Sequence, residues 1–314
     1  MKKIMCIIAI SLIIVSIIIL SKNEYGRKLY KNANFGIEAL IKKGEIENLF
    51  IGSSMFRQGL DIYALEKTIG FDSYILAYSG NQPAFELLEL EYLLKNGVKI
   101  KNLYMDMYVY TLYANPNIND TRILAQTNTR FKIDIWDMLK KNGKPDLSVF
   151  WEMFVTSNNE AFLSFPISYK LTNNLYHKGG NTQKNTGLTL EQFAHLEVPT
   201  TSSNAPCDYQ VNAILKIIEL CKQNQINLIF LETPKWNKVC ENKKYQDMMK
   251  EYISILAKND VIFSLSSKTS ECLNYTDCKI IDFDSDNPQY FLDMVHMSSD
   301  GREEYGLKLL NLMD

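Results

Sequence analysis

The chain has 314 residues, of which 46% are hydrophobic, and its formal net charge at pH 7 is -2. A chain of this size can bury enough apolar surface for one large domain or two small ones. The near-neutral charge argues against the basic face that nucleic-acid-binding proteins need, so we expect no nucleic-acid partner. Neither a Gly-x-x-x-x-Gly-Lys-Ser/Thr nor a Gly-x-Gly-x-x-Gly motif occurs, which argues against a nucleotide cofactor.

The N-terminal segment from Ile4 to Leu20 is apolar, apart from two serines. As a helix it would span roughly 26 Å, at the short end of what crosses a hydrocarbon core. A cleaved signal peptide is the alternative, but no small-x-small pattern follows the segment. We therefore expect residues 1–23 to be a transmembrane anchor in contact with the membrane through residues 4–20, and residues 24–44 to be a stalk helix.

Orientation is not decided by charge, because basic residues flank the apolar segment on both sides. A short charged tail followed by an apolar run is also an export signal. We therefore expect a single-pass protein of the cell membrane whose domain, residues 45–314, lies outside the cytoplasm.

Strand and helix patterns alternate in this domain. The strands are expected over residues 48–51, 73–77, 100–110, 226–231, 261–265 and 280–283, and the helices over 60–68, 83–96, 208–224, 243–258 and 302–313. Such alternation with short connections predicts an α/β fold, a doubly wound parallel sheet with helices on both faces. The alternation of strands and helices stops between about residues 113 and 205. We interpret this segment as an insertion that covers a substrate or contacts a partner.

The segment 49–54, Leu-Phe-Ile-Gly-Ser-Ser, is typical of a buried first strand that ends in a glycine and two hydroxyls. Open α/β sheets place their ligand sites at the carboxyl ends of strands, and the glycine allows a sharp turn there. A serine at this position needs a base to become a nucleophile. We expect Ser54 to be that nucleophile.

A base is available near the end of the chain, where Asp293 precedes His296 by three residues. This spacing lets the carboxylate contact one imidazole nitrogen and leaves the other free to accept a proton from a serine. A capping aspartate beside a surface histidine is the alternative interpretation. Because both segments can lie at the carboxyl edge of one sheet, we expect Ser54, Asp293 and His296 to form a catalytic set. The oxyanion would be held by the amides of Ser54 and of Gly80, which follows the second strand.

We expect the other potentially reactive side chains to have structural roles. His177 and His195 lie in the insertion, apart from other ligands, so no metal and no other cofactor is expected. Cys272 and Cys278 are close enough to bridge a loop, but spacing leaves both states open, and free cysteines are the default expectation. Tyrosines 104, 108 and 110 would share one face of the third strand, where core packing is favoured over a sugar site. Asp106 is kept outside the catalytic set.

With these residues in place, the chain resembles the SGNH (GDSL-type) hydrolase superfamily. Gly52-Ser53-Ser54 matches its first block, with Ser53 in place of aspartate, and residues 78–82 match the second. Asp293-x-x-His296 matches the last block. The resemblance implies a three-layer sandwich, with Ser54 as nucleophile and the Gly80 amide at the oxyanion. No Gly-x-Asn-Asp block is found in residues 105–110, so the third oxyanion donor is unassigned.

The single anchor and the missing third block narrow the resemblance to membrane-anchored SGNH-like proteins, including the D-alanyl-lipoteichoic acid biosynthesis (DltD-like) group. This implies serine-dependent acyl transfer or ester hydrolysis on a cell-envelope polysaccharide or teichoic acid, such as D-alanylation or acetylation. It also implies a membrane-bound O-acyltransferase as partner. Two alternatives stay open: a non-catalytic scaffold for such an acyltransferase, and a plain carboxylesterase. The acyl group and the acceptor polymer do not follow from the sequence.

Overall fold

A computed structural model of the protein describes residues 2–31, 33–70, 72–143, 145–156, 174–266 and 278–309. The strands are β1 Glu45–Gly52, β2 Ser73–Ala77, β3 Lys99–Asp106, β4 Tyr176–His177, β5 Gly180–Asn181, β6 Asn227–Leu231, β7 Ile262–Leu265 and β8 Cys278–Ile280. The helices are α1 Lys2–Tyr30, α2 Ile37–Lys43, α3 Ser54–Gly59, α4 Ile62–Thr68, α5 Pro83–Lys95, α6 Val109–Leu112, α7 Arg122–Gln126, α8 Thr129–Asn142, α9 Leu147–Trp151, α10 Leu190–Ala194, α11 Asp208–Gln223, α12 Asn237–Cys240, α13 Lys243–Ala257 and α14 Ser299–Lys308. A π-helical turn at Glu152–Thr156 and a 3-10 helix at Pro288–Tyr290 complete these elements.

Six strands form one parallel sheet in the order β2-β1-β3-β6-β7-β8. The chain therefore moves outward from β1 to β2 and then crosses back to β3. Because parallel crossovers are right-handed, this reversal puts the helices before and after β2 on opposite faces. Helix α5 packs against α11, and α4 packs against α14. The predicted α/β fold with a doubly wound parallel sheet is confirmed.

The carboxyl ends of β1, β2 and β3 lie together at one edge of the sheet. Gly52 is paired with Ala77, and Ile51 with Met105. The strand interiors are almost entirely buried, as expected for a sheet covered on both faces. The residues that follow these strands therefore lie on a common rim, which is where this topology places ligand sites.

The insertion, between about residues 113 and 205, adds helices and a small hairpin. Its described residues contribute no strand to the six-stranded sheet, and residues 157–173 lie outside the described part of the chain. The hairpin of β4 and β5 lies along β2, where the Ile75 N–H donates to the Lys178 carbonyl over 2.9 Å. It thereby covers part of a sheet edge that would otherwise present unpaired backbone groups.

The stalk predicted over residues 24–44 is not one helix. Helix α1 continues through Tyr30, and Gly36, at a φ of 113°, separates it from α2. Phe35, Ile37 and Leu40 are buried in the hydrophobic core. The segment is therefore part of the domain, because these apolar side chains gain more from packing than from an exposed position.

The third strand also ends earlier than predicted, at Asp106 rather than at residue 110. Its neighbour β6 ends at Leu231, whose carbonyl accepts from the Met107 N–H over 3.0 Å. Beyond this point β3 has no strand to pair with, and the chain turns into the short helix α6. Tyr108 and Tyr110 are therefore not strand residues, whereas Tyr104 is buried and stacks on Phe50 as a core residue.

The N-terminal helix is exposed along its apolar part. Residues Lys3–Lys22 are long and apolar enough to cross a membrane, and none of this segment is buried against the domain. The cysteines differ in state: Cys207, Cys221 and Cys240 are free thiols, whereas Cys278 is disulfide-bonded. Cys272 lies outside the described residues.

Candidate active site

Ser54 lies at the junction between β1 and α3. The strand ends at Gly52, and Ser53 caps the helix by accepting a hydrogen bond from the Met55 N–H at 3.1 Å. A Cβ on Gly52 would lie 2.5 Å from the Cβ of Asp106, so only glycine fits at this crossing. Ser54 is thus the first helical residue, on the carboxyl rim of the sheet.

Three side chains from the two ends of the chain meet at this rim. His296 Nε2 lies 2.9 Å from Ser54 Oγ, and His296 Nδ1 lies 2.7 Å from Asp293 Oδ2. With the Nδ1 proton held by the carboxylate, Nε2 is the nitrogen that can accept the serine proton. The arrangement has the connectivity of a nucleophile, a base and a group that orients the base.

The turn that carries Asp293 and His296 is held by its own backbone. Asp293 Oδ1 accepts from the N–H groups of Val295 and His296, each at 2.8 Å. The Met294 carbonyl accepts from the Trp236 N–H at 3.0 Å, which ties the turn to the segment after β6. Burial would raise the pKa of Asp293, but the bonds and charge of His296 and the two amides hold it below its ordinary value. The carboxylate is therefore charged at neutral pH.

Asp106 supports the turn before the nucleophile. Its Oδ2 accepts from the Ser53 N–H at 3.1 Å and from the Ser53 hydroxyl in a short contact. Its Oδ1 is buried and has no hydrogen-bond partner among the residues that the structure describes. Burial raises the pKa of Asp106 to about 6, against the opposing effects of the Ser53 bonds and of the positive charges on Lys235 and His296. Asp106, expected from the sequence to lie outside the catalytic set, contacts Ser53 rather than Ser54.

The expected oxyanion amides lie on adjacent strand ends. The Tyr78 N–H donates to the Gly52 carbonyl at 3.1 Å, which brings the turn after β2 next to Ser53 and Ser54. Within the described part of the chain, neither the Ser54 N–H nor the Gly80 N–H donates to a protein acceptor. Gly80 has a φ of 59°, in the left-handed region that favours glycine. Both amides are thus available to a developing negative charge.

A loop after α6, residues 115–120, packs over the Gly80 turn and was missed by the sequence reasoning. Asp120 Oδ2 accepts from the Ser79 N–H at 2.8 Å, and Asn119 Nδ2 donates to the Gly80 carbonyl at 2.8 Å. The signal was the Asn-Asp pair itself at 119–120. Helix α6 separates this pair from β3, so the pair does not directly follow the strand after which the third block is expected.

Two arginines converge on Asp120. Arg122 donates from Nε to both carboxylate oxygens, at 2.9 and 3.2 Å, and Nη1 of Arg57 lies 3.8 Å from Oδ2. Burial would raise the pKa of Asp120, but the bonds from Arg122 and from backbone amides, including that of Ser79, keep it below its ordinary value. This cluster fixes the loop that holds the Gly80 turn.

The other histidines lie apart from the serine. His177 stacks on Tyr63 with ring centroids 5.2 Å apart and approaches Glu66 at 3.5 Å, and His195 ends α10. His296 is accordingly the histidine that contacts Ser54. The described residues contain no group of three or more His, Cys, Asp or Glu side chains placed to hold a metal ion.

Comparisons with known proteins were made for the whole chain. No family model matches it, and no curated protein matches it either. Among solved structures, it is similar to a Streptococcus pneumonia protein described in terms of platelet activating factor, with 11% identity, a TM-score of 0.39 and coverage of 98% of this chain and 99% of that one. It is also similar to a GDSL-like lipase from Bacteroides thetaiotaomicron, with 13% identity, a TM-score of 0.34 and coverage of 94% and 97%. At these values neither similarity carries an argument about activity.

Proposed function

We propose that this protein is a membrane-anchored, serine-dependent enzyme that transfers or hydrolyses acyl esters. The observation that carries the proposal is the chain of contacts from Asp293 through His296 to Ser54, at 2.7 and 2.9 Å. A serine, an imidazole and a carboxylate in this order activate a hydroxyl that is otherwise a weak nucleophile. Their position on the carboxyl rim of a parallel sheet, beside two free amides, suits attack on a carbonyl.

The reaction would proceed through an acyl-serine. Ser54 Oγ attacks the acyl carbon while its proton passes to His296 Nε2, and the carbonyl oxygen becomes an oxyanion facing the amides of Ser54 and Gly80. The intermediate collapses when the bond to the leaving alcohol breaks and that alcohol takes the proton from His296. Water or an acceptor hydroxyl then gives a proton to His296 as its oxygen attacks the acyl carbon. His296 returns that proton to Ser54 Oγ when the bond between the acyl carbon and Ser54 breaks.

Asn119 is our candidate for the third oxyanion donor. Its side-chain amide lies beside Gly80 and donates to the Gly80 carbonyl and, at 3.1 Å, to Asn117 Oδ1. Because its side chain is exposed, a rotation towards bound substrate would exchange one of these bonds for a bond to the oxyanion. Side-chain amides serve this purpose in other acyl-transfer sites.

For the biological reaction, we propose O-acylation of a cell-envelope polysaccharide or teichoic acid outside the cytoplasm, in company with a membrane-bound O-acyltransferase. The apolar segment Lys3–Lys22, which can cross a membrane, supports an envelope location. The match of Gly52-Ser53-Ser54, Gly80 and Asp293-x-x-His296 to the SGNH pattern supports acyl-ester chemistry. The acyl groups transferred would include D-alanyl and acetyl groups.

The chemistry is tested on the purified full chain in detergent. We would measure hydrolysis of p-nitrophenyl acetate and covalent labelling by a fluorophosphonate, with the labelled peptide located by mass spectrometry. Wild type should carry the label on Ser54, and Ser54→Ala should lose both activities. Ser202→Ala, which removes an exposed hydroxyl outside the contacts of Ser54, His296 and Asp293, is the matched control and should keep both. Equal labelling of Ser54→Ala and wild type would overturn the proposal.

The biological role is tested by the base-labile ester content of the envelope in a deletion strain. Complementation by wild type but not by equally expressed Ser54→Ala supports acyl transfer by this serine. Equal complementation by both favours the non-catalytic scaffold. Excess ester in the deletion strain points to a deacylase, and activity on short esters with no change in the envelope points to a plain carboxylesterase.

A further inference from the structure

The anchor helix packs directly against the domain. Helix α1 is continuous from the apolar segment to Tyr30, and its last turns pack on the domain. Arg27 Nη1 lies 3.4 Å from Glu38 Oε2, and the Tyr92 hydroxyl donates to Glu38 Oε1 at 2.9 Å. Glu38 is fully buried, so this link is an internal one. The direction of α1 therefore determines which face of the domain looks towards a membrane that residues Lys3–Lys22 would cross.

An exposed apolar patch lies on α8 and α9. It comprises Ile133, which is 38% exposed, and Leu147, Phe150 and Trp151, which are 81%, 41% and 60% exposed. The three residues of α9 are spaced three and four apart, so they share one face of the helix. Their exposure is unusual for large apolar side chains that lie together, and such patches mark interaction surfaces.

The patch lies on the helices that follow the contact of the anchor helix with the domain. Helix α1 packs against α7, and α8 begins at Thr129, shortly after α7 ends at Gln126. The Trp136 ring of α8 packs edge-on against Phe150 of α9 at 5.3 Å. The two helices that carry the patch are thus joined by an aromatic contact, and the first of them follows directly on the helix that contacts α1.

We propose that this patch, Ile133, Leu147, Phe150 and Trp151, lies in the lipid interface of the same membrane that the anchor crosses. Tryptophan and other large amphipathic or apolar side chains concentrate at the boundary between headgroups and acyl chains. A second contact beside the span would fix the tilt of the domain and so the height of its catalytic rim. The inference requires that α1 cross the membrane, but it does not depend on Ser54 chemistry.

Tryptophan fluorescence tests this contact directly. The chain has three tryptophans, Trp136, Trp151 and Trp236, and none lies in the anchor helix. We would reconstitute the full chain in vesicles of phosphatidylcholine whose acyl chains are brominated close to the headgroup, with unbrominated vesicles as reference. The brominated lipid should quench wild type, and Trp151→Phe should lose most of this quenching.

Trp236→Phe is the matched control, because Trp236 is buried and stacks on Phe193 at 4.2 Å, away from the patch. That variant should keep the quenching seen in wild type. Equal quenching of wild type and Trp151→Phe would overturn the proposal. A second experiment replaces Trp151 by a photoreactive residue in native membranes. If this residue crosslinks to another protein, and if pure lipid gives no quenching, the patch binds a protein partner and the proposal is overturned.

Anchor insertion is measured separately by resistance of the reconstituted chain to alkaline extraction. A chain that resists extraction and shows no quenching of Trp151 contradicts the patch alone. A chain that is extracted contradicts the anchor and, with it, the proposed membrane contact. Neither result bears on the labelling of Ser54, so the outcomes for the patch and for the enzyme remain distinct.

Discussion

Both donors of Ser53, its N–H and its hydroxyl, converge on a single oxygen of Asp106. The Ser53 hydroxyl in turn accepts from the Met55 N–H, so one short chain of hydrogen bonds extends from β3 to the first turn of α3. The residue that presents the nucleophile is therefore positioned by a carboxylate of the neighbouring strand. Asp106 acts through Ser53 and is a positioning residue in this sense.

We expect Asp106→Asn to keep much of the esterase activity and Asp106→Ala to lose most of it. The asparagine oxygen can still accept from Ser53, whereas alanine leaves two buried donors without an acceptor, at a cost of about 1–3 kcal/mol each. The measurement is kcat and KM for p-nitrophenyl acetate, with the loss expected in kcat. Similar activity in Asp106→Ala and wild type would contradict the positioning role.

The raised pKa of Asp106 also predicts a pH-dependent stability. The carboxyl has an ordinary pKa of 3.8 and a folded-state pKa of about 6, so the folded chain retains this proton over a range where the unfolded chain releases it. The stabilising contribution is thus complete below the ordinary pKa and is lost as the pH rises through the folded value. Two pKa units correspond to about 3 kcal/mol.

Asp106→Asn removes this titration. Between pH 4 and pH 7, the free energy of unfolding of wild type should fall relative to that of the variant by about 3 kcal/mol. Urea unfolding of the full chain in detergent at both pH values measures the difference. Asp247→Asn, on the exposed face of α13, is the control and should follow wild type at both values. A difference that does not change with pH would contradict the prediction.

Asp293→Asn should reduce kcat by roughly 10³–10⁴-fold without unfolding the protein. The asparagine oxygen can still accept from the Val295 and His296 amides, but its amino group would face Nδ1 of His296. The imidazole would then carry its proton on Nε2 and could not accept one from Ser54. Asp286→Asn, an exposed neighbour, should leave kcat unchanged. Equal kcat values for Asp293→Asn and wild type would exclude the orienting role.

Gly80→Ala should lower the free energy of unfolding by more than the cost of placing alanine at a positive φ. A Cβ at Gly80 would lie 2.9 Å from the Cβ of Asn119, whereas a Cβ at Gly97, at a φ of 79°, would meet nothing within 4 Å. Gly97→Ala therefore reports the cost of the left-handed backbone, about 1–2 kcal/mol. The additional loss should disappear when Gly80→Ala is introduced into the Asn119→Gly variant and compared with Asn119→Gly alone, because that variant already lacks the bond from Asn119 to the Gly80 carbonyl. Urea unfolding measures all four variants, and equal costs at Gly80 and Gly97 would contradict the prediction.

The parts of the fold that sequence could predict depend on local patterns. Alternating strands and helices gave the parallel sheet, and the three-residue spacing of Asp293 and His296 gave a contact that the two residues make within one turn. The proximity of Ser54 to His296 followed from topology, because Ser54 begins the helix after β1 and His296 precedes α14 at the same sheet edge. Such inferences need no knowledge of how individual side chains pack.

The structural features that the sequence did not predict depend on packing between residues that are far apart in the chain. Burial of Phe35 and Leu40 needs the domain surface that receives them, so the segment looked like an exposed stalk. The end of β3 is set by the length of β6, which local propensity does not contain. Asp106 can reach Ser53 because Gly52, on the adjacent strand, has no side chain that would collide with it. This relation joins two strands, so no local sequence motif reveals it.

Glu232 and Lys235 form a pair of charged side chains that are almost completely buried. Lys235 Nζ lies 3.5 Å from Glu232 Oε1 and donates to the Thr233 carbonyl at 2.8 Å. Glu232 Oε2 accepts from the Ser266 N–H at 3.1 Å. The positive charge of Lys235 also lowers the pKa of Asp106, which connects this pair to the nucleophile turn.

Lys235→Met should destabilise the protein by about 3–5 kcal/mol, because it removes the positive charge beside the buried Glu232 carboxylate. Glu232→Gln in the same chain removes that charge, so the double variant should be more stable than the sum of the single changes predicts. Urea unfolding of the four proteins gives this coupling, and strictly additive losses would contradict it. Where the variants remain folded, loss of Lys235 should also raise the pKa of Asp106, so the pH-dependent fall in stability should move to higher pH.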